Sequence, residues 1–455
     1  RTDVPNSRGG RLLVAFRIPF QRLPSSDRPL ESLAEQGFAL SPQKALDIHF
    51  ADDIRLLGAT LPDAIPAASA RPLTLFWQST GQIDRDYTVF VHLLDERGHR
   101  WGQDDRRPNQ GGYPTAVWEP GELVIDHYWP LVDPCAPPGE VQVLAGLYNW
   151  PTQERLAVEG TGLDSVVLGS LRLSPPERLT LLGREPAIAL EQSFDGLQFL
   201  GTDGLPETVA SGGILPVNLY WRAEANFQHN HGWTLALRPP GKDDATVTWD
   251  LGPTVRAPTW QAGEGLCTHH DLSIPPETAP GDYAVVLSVP DLSDDSLMLG
   301  TIKIEHMDRS FEPPDPEYPL AVRVGTDIRL LGYDLPRPAI SPGAEPSVTL
   351  YWQAMATPRR NHKIFVHLTD EHDVVVAQVD SSPGSGGRPT SIWLPGEVVT
   401  DSLTLTPAAG LQPGTYRLAV GMYDQATGAR LPLYRDDVRL PDDRLLLDVP
   451  IEVTQ

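Results

Sequence analysis

Two histidines stand in the same short phrase. His92 and His367 each take the third place of FVHL, and each follows a tryptophan, Trp77 or Trp352, by 15 residues. Thirteen residues beyond the phenylalanines of that phrase, Phe90 and Phe365, come Gln103 and Gln378, with Asp105 and Asp380 two places further on. An imidazole, an amide and a carboxylate converging from adjacent strands could hold a hydroxyl-rich ligand or a cation. The plainer reading is a half-buried histidine satisfied by an aspartate. A third copy of the pattern has Ala236 in the histidine's place, so a role in every copy is not expected.

Trp118, Trp260 and Trp393 open the phrases WEPGE, WQAGE and WLPGE. Exposed indoles at such corners would suit stacking on sugar rings, and Trp118 and Trp393 join the candidate ligand-binding residues on that ground. Because Glu122, Glu264 and Glu397 recur in the same turn, packing of a corner explains the pattern equally well. His229, His231, His269 and His270 form the densest histidine group, but neighbours on a strand face opposite ways, so only one of the last two could join a site. No metal site is expected from them, and DLSDDS does not match a calcium loop. GxSxG, HExxH, a phosphate loop and CxxC are all missing. No catalytic residue and no cofactor is therefore expected.

The elements that must position these side chains come in triplicate. IRLLG at Ile54–Gly58 returns at Ile328–Gly332, with LQFLG at Leu197–Gly201 between them. From the last glycine of each phrase to the next YWQ-type tryptophan (Trp77, Trp221, Trp352) is 19, 20 and 20 residues. From there to the WxxGE tryptophan is 41, 39 and 41, and from the glycine of that turn to Gly139, Gly281 or Gly414 is 18 each time. Agreement at fixed spacing marks a tandem repeat. The units run over 45–175, 187–306 (the divergent one) and 318–455. Residues 1–44 match no unit, and the stretch Leu12–Pro19 within them is strand-like, a candidate donor or edge strand. The joints LSPPERLTLLGREP and HMDRSFEPPDPEYP are polar and proline-rich, as semi-rigid linkers are.

Inside a unit the apolar period is two. SVTLYWQA puts Val348, Leu350 and Trp352 on one face and Thr349 and Tyr351 on the other. Pro395-Gly396 and Pro413-Gly414 fit the centre of a type II turn, and Gly428 suits a hairpin loop. Proline at 46 of 455 residues is about twice the ordinary share and disfavours helices. Seven or so short strands per unit predict an all-β chain of three tandem immunoglobulin-like antiparallel β-sandwich domains, with a jelly roll as the competing strand order. Trp77, Trp221 and Trp352 are expected between the sheets.

Composition bounds the partners. A formal charge of −24 argues against nucleic acid. Cys135 and Cys267 fall in different units at different places, so a pair within one domain is excluded and only a bridge between domains is left open. No apolar run is long enough to span a bilayer, so membrane attachment is expected only through a segment upstream of Arg1.

IRLLGYDL, YWQ, IFVHLTDEHDVVVAQVDSSP, RPTSIWLPGEVVTD and LQPGTYRLAVGMYDQATGARL resemble a β-sandwich region that follows the membrane part of some bacterial multi-pass glycosyltransferases of the mannosyl/aminoarabinosyl-transfer type. The first and third units carry these motifs well; the second keeps only the landmarks. The resemblance implies a fold and an extracytoplasmic location, not an activity, since none of the motifs is catalytic. The expected protein is a non-catalytic cell-surface array that acts as a structural or assembly component, its partners being other chains or further copies of itself in a filament. The alternative is a glycan-binding accessory region with a polysaccharide as its partner.

Overall fold

In the strand Ser347–Ala354 every second residue is buried: Val348, Leu350, Trp352 and Ala354 turn inward, and their neighbours keep contact with solvent. That alternation, repeated along the chain, builds sheets with one greasy face each. The computed structural model describes residues 42–159, 163–194, 196–226, 232–242, 244–251, 260–289, 296–336, 338–341, 344–406, 411–425 and 427–454. The segment Leu12–Pro19, His229, His231 and most of DLSDDS lie outside the described residues.

The protein is all-β, and its described helices are short 3-10 turns. Strands Lys44–Phe50, Ile54–Thr60, Leu73–Ser79 and Leu123–Tyr128 form one sheet. Ala64–Pro66, Val166–Ser174, Gly139–Tyr148, Thr88–Leu94, Arg100–Arg106 and Leu131–Val132, in that spatial order, form the next. The same scheme returns in a four- and a five-stranded sheet over Ile188–Glu305, and in two six-membered sheets over Tyr318–Val453, the last of which counts Leu445–Leu446 as its sixth member. Neighbours are antiparallel except the short strands Ala64–Pro66, Thr208–Ala210 and Ala339–Ile340, which run parallel to the last strand, in chain order, of their sheets.

Among the described residues the three large apolar clusters each contain the expected indole, Trp77, Trp221 or Trp352, all fully buried. Each of their ring N–H groups lacks an acceptor among the described residues. Burying an indole contributes about 4–6 kcal/mol by area, which outweighs the roughly 1–3 kcal/mol cost of an unpaired donor.

IRLLG has a structural cause. In all three copies the ladder slips just before the glycine, between Leu56 and Gly58, Phe199 and Gly201, and Leu330 and Gly332. The bulge turns the strand into the one before it. A Cβ on Gly58 would stand 2.6 Å from the Lys44 carbonyl oxygen, and one on Gly201 or Gly332 would strike the backbone of Ile188 or the ring of Pro316. Only glycine admits that approach. Gly396 takes the positive φ, 85°, that a type II turn requires, and Gly428 does so at 69°. Gly414 departs from expectation: it pairs with Val453 as the first residue of a strand, so the ladder and not a turn sets its backbone.

The joints are docked and not free. Leu179 and Leu181 are buried, the Leu179 carbonyl accepts from Gly265 N at 3.3 Å, and Leu181 lies in the first core. At the second joint Ser310 O accepts from Val398 N at 2.7 Å. In both cases the joint is stitched to the residue after a WxxGE glutamate. Arg309 completes the second joint. It donates to Ser211 O at 3.2 Å on one side and to Ile392 O at 3.0 Å and the Glu397 carboxylate on the other. Glu397 is fully buried and also receives Arg388. At the first joint Cys135 and Cys267 form a disulfide. Around it Arg184 reaches both Asp133 and Asp203, Arg97 pairs with Asp271 at 3.0 Å, and Trp101 meets His269 edge-on at 4.8 Å.

An inward carboxylate marks the first and third units. Asp401 accepts from Gly384 N at 2.6 Å, and Asp126 accepts from Asn109 N at 3.1 Å, each pinning the loop that precedes the WxxGE turn. Burial pushes Asp401 up to about 6, from 3.8 when unfolded, and raises Asp126 as well. The folded chain thus holds a proton on Asp401 that the unfolded chain has lost, so stability falls as pH rises from about 4 to 6 and stays reduced above that. Asp401→Asn is expected to flatten that slope and to stabilise the protein at pH 7 by on the order of 2 kcal/mol, read from urea midpoints at pH 4.5 and 7.

Candidate functional site

The two FVHL strands place their candidates as the period of two requires. Val89, Val91 and Leu93 fill the first core, which leaves Phe90 and His92 on the outer face of the sheet. His92 lies directly opposite Gln103 and Phe90 opposite Asp105; His367 faces Gln378 and Phe365 faces Asp380. All eight side chains therefore share the outer face of two equivalent sheets. In the first unit His92 Nε2 is 3.2 Å from Asp105 Oδ1, and the rings of Phe90 and His92 are 4.8 Å apart. In the third unit Asp380 is engaged by Tyr423 instead. Burial, with Arg430 and Arg444 nearby, lowers His367 to about 4, so it is neutral at physiological pH. Arg155 and Arg430 cover the Phe90 and Phe365 rings at 4.6 Å each. The rows are packed, with His92 only 9% exposed. In the first unit this is the geometry of a satisfied polar pair on an aromatic base.

Trp118 and Trp393 face inward. They are 1% and 0% exposed, and their ring nitrogens donate to Tyr113 O at 3.3 Å and Arg388 O at 2.8 Å. Neither indole presents a face to a sugar. The corner closes on itself: the glutamate side chain accepts the backbone N–H three residues earlier, at Glu119, Gln261 and Leu394, with lengths of 2.8, 2.8 and 2.9 Å. The recurring tryptophan and glutamate are a corner device. The reason is burial, which sequence spacing does not report.

At the end of the outer-face row of the first unit lies a hollow of about 230 Å³, lined by Thr88, Asp105, Arg106, Arg107 and Trp150. Trp150 is 59% exposed. It sits on a hairpin loop that its neighbours hold in place: Gln153 N donates to Asn149 O at 2.8 Å, Gln153 Nε2 to Trp150 O at 2.5 Å, and Thr152 N to Asn149 Oδ1 at 3.3 Å. Arg107 pairs with Asp86 at 2.9 Å and Arg106 with Asp104 at 3.0 Å. Arg106 also lies 5.0 Å over the ring of Trp129, a second partly exposed indole.

Of the expected residues only Asp105 lines this hollow. Thr88, Arg107 and Trp150 were missed because they do not repeat: the third unit has Lys363, Ser382 and Gln425 at the matching places. The signal was present as an exception to the pattern. His269 and His270 do part to opposite sides: His269 bonds Asn218 at 2.7 Å at the joint, and burial lowers His270 to about 4. Among the described residues no group of three or more His, Cys, Asp or Glu side chains is arranged to hold a metal ion. No protein-family model matches the chain, and no curated protein matches it.

Proposed function

We propose that this chain is a stiff, non-catalytic component of the cell exterior that spaces or assembles other parts through its surfaces. One observation carries the reading: both joints are fixed, the first by the Cys135–Cys267 bridge and the second by Arg309 held between Ser211 and Glu397. An enzyme that closes on a substrate needs mobile joints, whereas a spacer needs fixed ones. A disulfide also favours an oxidising compartment, in keeping with the resemblance to extracytoplasmic sandwich regions. The immunoglobulin-like reading draws support from Tyr283 and Tyr416, whose hydroxyls donate to the carbonyls of Ala279 and Gln412, four residues back, at 2.9 Å. This is the corner typical of that fold.

Assembly with further copies draws support from an edge. In the first unit the strand Arg100–Arg106 is covered by Leu131–Val132. Its counterpart Val375–Ser381 pairs on its outer side with no strand among the described residues, and Val374 and Val375 beside that edge are 56% and 42% exposed. The exposed valines at 374 and 375 are an apolar surface of the kind on which a strand can be added.

Spin labels at Val117→Cys and Val438→Cys, both on exposed sites, test the stiffness. A single narrow distance distribution by pulsed electron resonance is expected, and a broad one would remove the proposal. Light scattering tests the edge. Mass should rise with concentration and return to that of one chain in Val375→Lys; a wild-type chain that stays single at every concentration would leave only the spacer role.

A further inference from the structure

The hollow beside Trp150 has no use in a spacer, and its chemistry selects a ligand. We propose that it binds one neutral pyranose ring, the terminal or branch sugar of a glycan, stacked on Trp150 and hydrogen-bonded by Asp105 and Arg107.

The volume comes first. About 230 Å³ is below the roughly 300–1,000 Å³ of clefts that bury a drug-sized molecule, and it suits a single ring. An indole exposed by 59% on a loop fixed by Asn149 and Gln153 offers an apolar face that is ordered in advance. The C–H face of a pyranose matches such a surface, and pre-ordering removes much of the entropic cost of binding. Polar groups converge beside it. A carboxylate accepts hydrogen bonds and a guanidinium donates several, which together satisfy the mixed donors and acceptors of adjacent sugar hydroxyls.

Charge then decides between neutral and anionic sugars. Arg106 and Arg107 are the cations of the hollow, but each already faces a carboxylate, Asp104 or Asp86, and Asp105 is a third acid beside them. Three carboxylates against two guanidiniums leave no surplus positive charge for a uronate or phosphate. The third unit acts as an internal control. It keeps Asp380 and Phe365 but has Lys363, Ser382 and Gln425 where the hollow has Thr88, Arg107 and Trp150. It lacks the stacking face, so one site per chain is expected.

The test uses the whole chain labelled with 15N. The Trp150 indole signal is assigned by its disappearance in Trp150→Phe. The probes are the methyl glycosides of glucose, galactose and mannose, with glucuronate as the anionic comparison. At least one neutral glycoside should shift the Trp150 signal and saturate with a Kd of about 1 mM, typical of a small, partly open contact. Trp150→Ala and Arg107→Ala should each weaken that binding at least tenfold, with unchanged circular dichroism; both side chains are largely exposed, so the fold should tolerate them. The proposal fails if no neutral probe moves the signal at about 50 mM, if glucuronate binds more tightly than every neutral glycoside, or if Trp150→Ala binds as well as wild type.

Discussion

Glu397→Ala should lower the stability of the third unit by about 3–5 kcal/mol, the cost of breaking a buried ion pair from one side. The carboxylate is fully buried and faces two guanidiniums, Arg309 and Arg388, whose side chains are 7% and 20% exposed. Burial already lowers the pKa of both, the sign that their charges are held at a cost. Removing the acid leaves two cations side by side in a poorly solvated place. It also frees the Leu394 N–H that the glutamate accepts at 2.9 Å, and so loosens the corner under Trp393. Urea unfolding followed by tryptophan fluorescence measures the loss. Arg309→Met and Arg388→Met combined with Glu397→Met should recover most of it, because a buried ionic cluster replaced whole by apolar groups is often neutral. A single mutant within about 1 kcal/mol of wild type would mean that solvent reaches the pair. The matching change in the second unit, Glu264→Ala, should cost far less, since Glu264 is only half-buried and keeps a turn contact alone.

Replacing both cysteines, Cys135→Ser with Cys267→Ser, should destabilise the first two units by about 2–4 kcal/mol and leave the third unchanged. The bridge closes a loop of 132 residues, long enough for the unfolded chain to gain much entropy when it is cut. The sulfurs lie within the first core cluster, and Cys135 Sγ is 3.6 Å from the Tyr220 hydroxyl, so two buried serines also add polar groups to an apolar place. The ion pairs around the bridge will not replace it. Arg97 and Asp271 are each about 30% exposed, and pairs in that setting contribute at most about 1 kcal/mol. Reducing agent should reproduce the shift in wild type and do nothing to the double variant. An identical denaturation curve for the two proteins would show that the joint is held by packing alone.

Sequence revealed the parts that repeat. Trp77, Trp221 and Trp352, the glycine of IRLLG and the period of two are local patterns, and each has a local cause in burial or close approach. The fixings between units were not legible. Cys135 and Cys267 occupy unrelated places in their units, and only the packing of one unit on the next brings them together. Arg309 lies in a proline-rich stretch that reads as a spacer, yet its partners are 88 and 98 residues away. The candidate site was half legible. The His, Gln and Asp positions fell on one face because register follows from alternation. Trp118 and Trp393 stayed open between a ligand and a packed corner because an indole in a turn looks the same in sequence whether its face is covered or open. Trp150 escaped for the opposite reason: it has no counterpart.

The bridge between the first two units also changes what pulling on the protein would do. Tension entering near Lys44 would cross at Cys135 directly to Cys267 and bypass the residues between them. That stretch, a sequence separation of 132 and roughly 45 nm of extended backbone, would carry none of the load. The covalent cross-link makes the middle of the chain a sheltered segment, and an oxidised chain would lengthen under force far less than its residue count suggests.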